Sequence, residues 1–303
     1  MGRHMLIPSR LRPTVGGRPQ AADDPPDPPP EPAVPVLPCA GVPITACRPD
    51  AAARLVVDRA AGPRLAGMDI HLCNAYTLAL ADRDAGLHTL LRRATVNFPD
   101  GKSVVWANRL QHRHRRSPTV RVYGPDLMRD VLALGQPAGL RHYLLGSTPR
   151  VLAALTERLR QDYPQVHLAG TESPPFRELT EAERAAQADR IRRSGAQVVW
   201  LGLGTPKQDW EAARLAAELP VVAVAVGAAF DFLAGTKRQA PVWMRHNGLE
   251  WCFRLAQEPR RLWRRYLFGN VRFGFAVGRW WRRAGRRREW PPPTGPARPD
   301  RPR

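Results

Sequence analysis

The stretch GLGTPKQDW, Gly202 to Trp210, places two glycines, a proline, a lysine and a glutamine directly after the apolar run QVVWL. Small residues there expose backbone N–H groups, and Lys207 stands where a helix begins. The positive end of a helix with a lysine beside it suits a phosphate group, so Gly204, Pro206, Lys207 and Gln208 are candidate ligand contacts. Neither the GxxxxGK[ST] spacing of a P-loop nor a GxGxxG fingerprint is present. The same residues also read as a helix-entry turn with Pro206 at the first helical position. Local sequence alone does not separate the two readings.

Other stretches carry further candidates. FPDGK puts Asp100 before a glycine, where a carboxylate could take a proton from a sugar hydroxyl; Asp-Gly is also a common turn dipeptide. RVYGPD offers Arg121 as an anion contact and Asp126 as the N-cap of the helix that follows. In GAAFDFLAG, Asp231 stands among apolar residues and needs a partner, as a buried anchor or as a ligand contact.

These residues need a frame. MDIHLC, ATVNF, RHYLLG, VHLAGT, AQVVWLG and VVAVAVG read as strands separated by helix-length segments. Such alternation predicts an α/β fold, a Rossmann-like and mostly parallel sheet flanked by helices. In open sheets of this kind ligands bind outside the carboxyl ends of the strands. The loops PDG, GSTP and GLGTPKQ all follow strands, so the candidates can converge there. Residues 1–40, with DDPPDPPPEPAVPVLP, and residues 290–303 are too proline-rich for helix or sheet ladders and read as loose tails. The expected core spans 41–244, and from Pro241 the strand signal stops in favour of helix.

The 303 residues include 47 Lys and Arg against 27 Asp and Glu, a net +20, with a pI near 11.3. That balance calls for a polyanionic partner. Between Arg254 and Arg288 lie twelve arginines, no lysine and one acid, Glu258, and six of the nine tryptophans fall between Trp243 and Trp290. Helical spacing predicts Leu255, Leu262 and Phe268 near one face with Trp251 and Trp263 beside them. Arginines flanking an aromatic, amphipathic face describe a helical appendage, 245–289, that docks on anionic lipid. Single-stranded nucleic acid is the competing partner; the α/β core with its loop chemistry favours the membrane and no nucleic acid. The four cysteines, Cys39, Cys47, Cys73 and Cys252, form no CxxC pair, which predicts neither a zinc site nor a disulfide framework and fits a reducing compartment. No run approaches the roughly 18 apolar residues of a spanning helix and no apolar leader opens the chain, so a soluble or peripheral protein is expected.

VVWLGLGTPKQDW, the run AVAVGAAFDFLAGTKRQAPVWMRHNGLEWCFRLAQEPRRLWRRYLFGN, and NFPDGKSVVW, RVYGPDLM and YLLGSTPRVLAALTERLRQDYP together resemble the WecG/TagA/CpsF glycosyltransferases, over about residues 41 to 272. The resemblance implies a peripheral enzyme of the cytoplasmic membrane face, possible as a homodimer. It implies inverting transfer of a sugar from a UDP-sugar to a polyprenyl-diphosphate-linked sugar, with no cofactor and no metal. Asp100 then matches the catalytic base. Asn74, Arg121, Gly204, Pro206, Lys207, Gln208, Gly227 and Asp231 match substrate-binding positions, and Arg254, Arg261 and Arg264 match arginines of an appendage that closes over the site. The chain departs from the pattern at Asp209, where glutamate is usual, at Leu72, where threonine is usual, and at GTESPPF, which replaces a glycine-rich stretch. A soluble nucleotide-sugar-modifying enzyme is the other enzymatic alternative. With no metal implied by the resemblance, charge on a departing diphosphate is expected to be met by helix N-termini, Lys207 and arginines.

Overall fold

The computed structural model of the protein describes residues 34–63, 66–113 and 119–284. The tail expected at 290–303, the arginines 286–288 and most of the Pro-rich segment lie outside the described residues. The segment read as loose to residue 40 is in part ordered: Val36–Cys39 (β1) pairs antiparallel with Val42–Thr45 (β2). Ala40 and Gly41 take positive φ between them, 49° and 82°, the geometry that two-residue hairpins favour. Leu37 and Cys39 are buried, which is why proline density does not keep this stretch loose.

The helices Pro49–Ala61 (α1), Ala75–Ala81 (α2), Ala85–Arg93 (α3), Lys102–Gln111 (α4) and Gly124–Gly135 (α5) surround the first two sheet strands, Met68–Cys73 (β3) and Val96–Pro99 (β4). Arg141–Gly146 (β5), Pro149–Asp162 (α6), His167–Glu172 (β6), Glu181–Ser194 (α7), Val198–Gly202 (β7), Lys207–Glu218 (α8) and Val222–Ala225 (β8) follow. Six strands form one sheet in the order β4-β3-β8-β7-β5-β6, and every pairing within it is parallel. The expected α/β class is therefore what the chain adopts.

Alternation along each strand feeds two cores. On β7, Val198 and Trp200 pack with α1, α5, α6 and Ala229–Leu233 (α9), while Val199 and Leu201 pack with α7 and α8. With both faces covered, the inner strands are apolar nearly throughout, while the edge strand β6 is partly exposed along its length. Asp126 does not cap α5: Tyr123 holds that position, and Asp126 sits in the first turn, paired with Arg129 at 3.1 Å, where its charge suits the helix dipole.

The C-terminal segment is three helices, Val242–His246 (α10), Glu250–Gln257 (α11) and Pro259–Ala284 (α12). Pro259 disfavours helix at Glu258, which takes φ −132°, ψ 59° and ends α11. The expectation of one apolar face also fails within α12, where Leu262 is buried and Phe268, about 120° further round the same helix, is exposed. α12 lies along α2. Phe273 and Ala276 are buried, and Phe273 belongs to the core formed by α2, α3 and the hairpin. The Trp280 ring stacks on His88 with centroids 5.8 Å apart and covers Gly41 so closely that no side chain fits there. Arg279 closes the seam with an ion pair to Asp82.

Because Phe273 is the buried aromatic of this seam, Phe273→Ala should cost about 3–5 kcal/mol of local stability. Hydrogen exchange should then quicken across α12 while β7 and β8 keep their protection.

Candidate active site at the carboxyl edge of the sheet

Parallel strands end at one edge, and the sequence candidates follow those ends: Asn74 after β3, Asp100 after β4, Gly204 to Gln208 after β7, and Gly227 after β8. The chain winds from β3 to β4 on one side and then crosses to the other side of β3, so the order reverses beside β3 and β8. That reversal opens the crevice in which such sheets hold ligands.

A cavity of about 220 Å³ opens there, with Asn74, Asp100, Lys102, Arg121, Glu250 and Arg254 on its polar wall. Tyr76, Trp106, Trp251 and Tyr266 supply aromatic surface. The Asp100 side chain is 23% exposed. Its Oδ1 accepts a long 3.4 Å bond from the backbone N–H of Gly124 at the start of α5. Burial pushes its pKa up, Arg121 opposes the rise and Glu250 adds to it. Arg121 donates through Nε to the backbone carbonyl of Asp100 and through Nη2 to Glu250 Oε2 at 2.6 Å. Asn74 caps α2, its Oδ1 accepting from the N–H groups of Tyr76 and Thr77. Its Nδ2 has no partner among the described residues, which leaves a donor at the cavity wall.

The loop after β7 is held from within. Gln208 is buried; its Oε1 accepts from Gly204 N–H at 3.0 Å, and its Nε2 donates to Thr205 Oγ1 at 3.4 Å and Ala225 O at 3.5 Å. The glutamine expected to touch a ligand thus has its amide committed to the loop. A Cβ at Gly227, whose φ is 56°, would lie 3.2 Å from Gln208 Oε1, so this glycine admits the same side chain. Pro206 is the N-cap of α8 rather than its first helical residue, after a cis Thr205–Pro206 bond. Gly204, at φ 80°, has open space beside it. Lys207 is exposed and donates to Arg177 O at 3.3 Å, which sets the loop carrying GTESPPF beside the lysine.

Eight candidates do not line this cavity: Gly204, Pro206, Lys207, Gln208 and Gly227 follow β7 and β8, and Asp231, Arg261 and Arg264 are held elsewhere. Asp231 pairs with Lys237 at 3.7 Å, and Lys237 pairs in turn with Glu258 at 3.1 Å. Arg261 pairs with Glu258, and Arg264 lies over the Trp263 ring at 5.2 Å. Of the three appendage arginines, Arg254 alone lines this cavity. Leu72, the departure from threonine, is buried toward Gly124, where an added Cβ would stand 2.8 Å from Leu72 Cδ1.

Beneath the edge lies a charged group that sequence reasoning missed. His71 in β3 is fully buried, with Nδ1 3.0 Å from Asp209 Oδ1 and Nε2 3.0 Å from Asp69 Oδ2. Only an imidazolium donates on both sides. Burial alone would push His71 down, but the bonds to Asp209 and Asp69 outweigh it and lift its pKa to about 9. Burial likewise pushes Asp69 up, and His71 with Thr95 overrides it to about 2. The readable signal was Asp-x-His on one face of a strand otherwise apolar. For Glu250, also missed, it was a lone acid just ahead of the arginine run.

A family model described as glycosyl transferase, WecG/TagA/CpsF family, matches residues 37–288 of the chain.

His71 makes alkaline stability testable. Its folded pKa near 9 lies above the unfolded value of about 6.5, so its contribution is complete below pH 6.5 and disappears as pH rises through 9. Urea unfolding should lose up to roughly 3 kcal/mol between pH 6 and pH 9. His71→Gln should flatten that slope and lower stability at pH 6 by about 3–5 kcal/mol, since it leaves two buried carboxylates unneutralised.

Proposed function

The chain belongs to the WecG/TagA/CpsF family of glycosyl transferases, and from that premise we propose that it transfers a sugar from a UDP-sugar to a polyprenyl-diphosphate-linked sugar. The transferred group is of the N-acetylmannosamine, mannosaminuronate or glucose type, and the product feeds a polysaccharide or cell-wall polymer. The observation that carries this reading is Asp100: a carboxylate at a parallel-strand end, facing a cavity that also holds Lys102, Arg121 and Arg254. In the transfer, Asp100 takes the proton of the acceptor hydroxyl while that oxygen attacks the anomeric carbon. The bond from that carbon to the UDP oxygen breaks on the opposite face, which inverts the configuration.

The raised basicity that burial gives Asp100 suits a general base, which works best with a pKa near the operating pH. The departing diphosphate needs positive charge. The N-terminus of α8 with Lys207 supplies it on the β7 side, and Arg254 on the side of the C-terminal helices. Gln208 acts by shaping the loop that presents those N–H groups.

A membrane is the place to meet such an acceptor. No helix among the described residues is long and apolar enough to cross one. α12 instead leaves Leu267, Val271, Phe275 and Trp281 exposed along one side, with Trp263 and Phe268 near them. An apolar stripe on an arginine-rich helix is suited to lie in the lipid interface, with the arginines meeting anionic headgroups.

UDP release with a short polyprenyl-diphosphate-sugar, across a panel of UDP-sugars, tests the reaction; release that ignores the acceptor with every donor would overturn it. Asp100→Asn should lower turnover about 10²- to 10⁴-fold with UDP binding retained. Replacing both Leu267 and Phe275 by Glu should weaken binding to anionic vesicles by about 100-fold or more, since each side chain is worth about 1.5–3 kcal/mol when buried.

A further inference from the structure

Two carboxylates share one guanidinium in the cavity. Arg121 Nη2 stands 2.6 Å from Glu250 Oε2 and 3.9 Å from Asp100 Oδ1. The second distance is too long for a hydrogen bond, so the charged fork is spent on Glu250. Tyr123 donates its hydroxyl to Glu250 Oε1 at 3.2 Å, and its ring lies under the Arg121 guanidinium at 4.1 Å. Both oxygens of Glu250 are therefore gripped, and the side chain is only 12% exposed. Asp100 is left with one long backbone contact at 3.4 Å. Its remaining lone pairs face the cavity.

We propose that Glu250 is a positioning residue: it holds and neutralises Arg121, so that the Asp100 carboxylate takes no hydrogen bond from the guanidinium and stays able to accept the acceptor's proton. The inference rests on the reading of Asp100 as the base. An arginine free to turn onto a carboxylate lowers its pKa by about 1–3 units and occupies the lone pairs that would take the proton. Glu250 prevents both. Burial first, and then Glu250, raise the Asp100 pKa, while Arg121, the Gly124 N–H and Arg254 lower it; Tyr76, Lys102 and Tyr266 are the other titratable groups lining the cavity, and Tyr123 packs behind Arg121 and Glu250. Removing the Glu250 charge leaves Arg121, Arg254 and Lys102 facing Asp100 alone.

Glu250 is the first residue of α11, so a C-terminal helix sets the basicity of a group at the sheet edge. The base is tuned only while α11 is seated.

The test is the pH dependence of kcat/KM for acceptor-dependent UDP release, in the full-length protein. Glu250→Gln keeps the size of the side chain and an oxygen for Arg121, and removes the charge. Its acidic limb should move down by about one unit or more, with a roughly tenfold lower rate on the alkaline plateau as the base weakens and UDP affinity unchanged. Glu250→Asp should restore part of the limb. Tyr123→Phe, which loses one of the two bonds to Glu250, should shift it the same way by less. A limb that stays in place in Glu250→Gln and Tyr123→Phe, with a uniform fall in rate, would overturn the proposal and leave Glu250 a structural ion pair. Asp100→Asn separates the two failures. If that variant keeps the wild-type rate and limb, the assignment of the base falls; if it is inactive while Glu250→Gln leaves the limb unmoved, only the role of Glu250 falls.

Discussion

Taking a charged imidazolium out of water costs several kcal/mol unless partners return that energy. His71 recovers it from two carboxylates, one on its own strand and one on α8. The consequence is geometric. β3 ends at Asn74 and runs beside β4, which ends at Asp100; α8 begins at Lys207, on the loop after β7. An ion triad between β3 and the first turn of α8 fixes the distance between these parts of the edge more firmly than apolar packing, because sliding either element would strand a buried charge.

From that bolt upward the edge is assembled from groups already paired. Gln208 shapes the loop, Asn74 caps α2, and Arg121 is divided between the Asp100 carbonyl and Glu250. A site whose donors are fixed before substrate arrives spends little on reorganisation during reaction. The cavity has aromatic surface on Trp106, Trp251 and Tyr266, which limits water near Asp100 and strengthens each charge interaction there.

The architecture was legible because strand and helix periods alternate cleanly from Met68 to Ala225, and because turn chemistry marks the strand ends. Asp100, Asn74 and Arg254 could be placed together for the same reason, since each follows a strand or belongs to the segment that returns over the edge, and Arg121 joins them from the stretch just before α5. The internal role of Gln208 was not readable because a buried amide and an exposed one look alike in a loop; only the Gly204 N–H and Ala225 carbonyl show that its amide braces the loop. His71 and Glu250 escaped because their partners are remote in sequence, 138 residues for His71 to Asp209 and 129 for Arg121 to Glu250. Local pattern marks the residues, Asp-x-His in β3 and the acid before the arginines, but not the distant partners. The single apolar face drawn across Leu255, Leu262 and Phe268 failed twice: the helical phase restarts at Pro259, between Leu255 and Leu262, and Leu262 and Phe268 stand about 120° apart on α12, one buried and one exposed.

The restart has a functional consequence of its own. Because α11 and α12 are separate helices, the segment can do two things that one rod could not. α11 turns Glu250 and Arg254 into the cavity, while α12 runs back along α2 with Phe273 buried beneath it and Leu267, Val271 and Phe275 facing outward. One side of α12 is held by the core that also buries Cys73, the residue before Asn74; the other side is left to a surface that accepts apolar groups. A force that seats α12 acts, through the short connection at Glu258, on the helix that presents Glu250. Under the proposed function, an acceptor anchored in lipid and a base tuned by Glu250 would be met by the same stretch of chain, which would tie reactivity at Asp100 to the place where the acceptor is found.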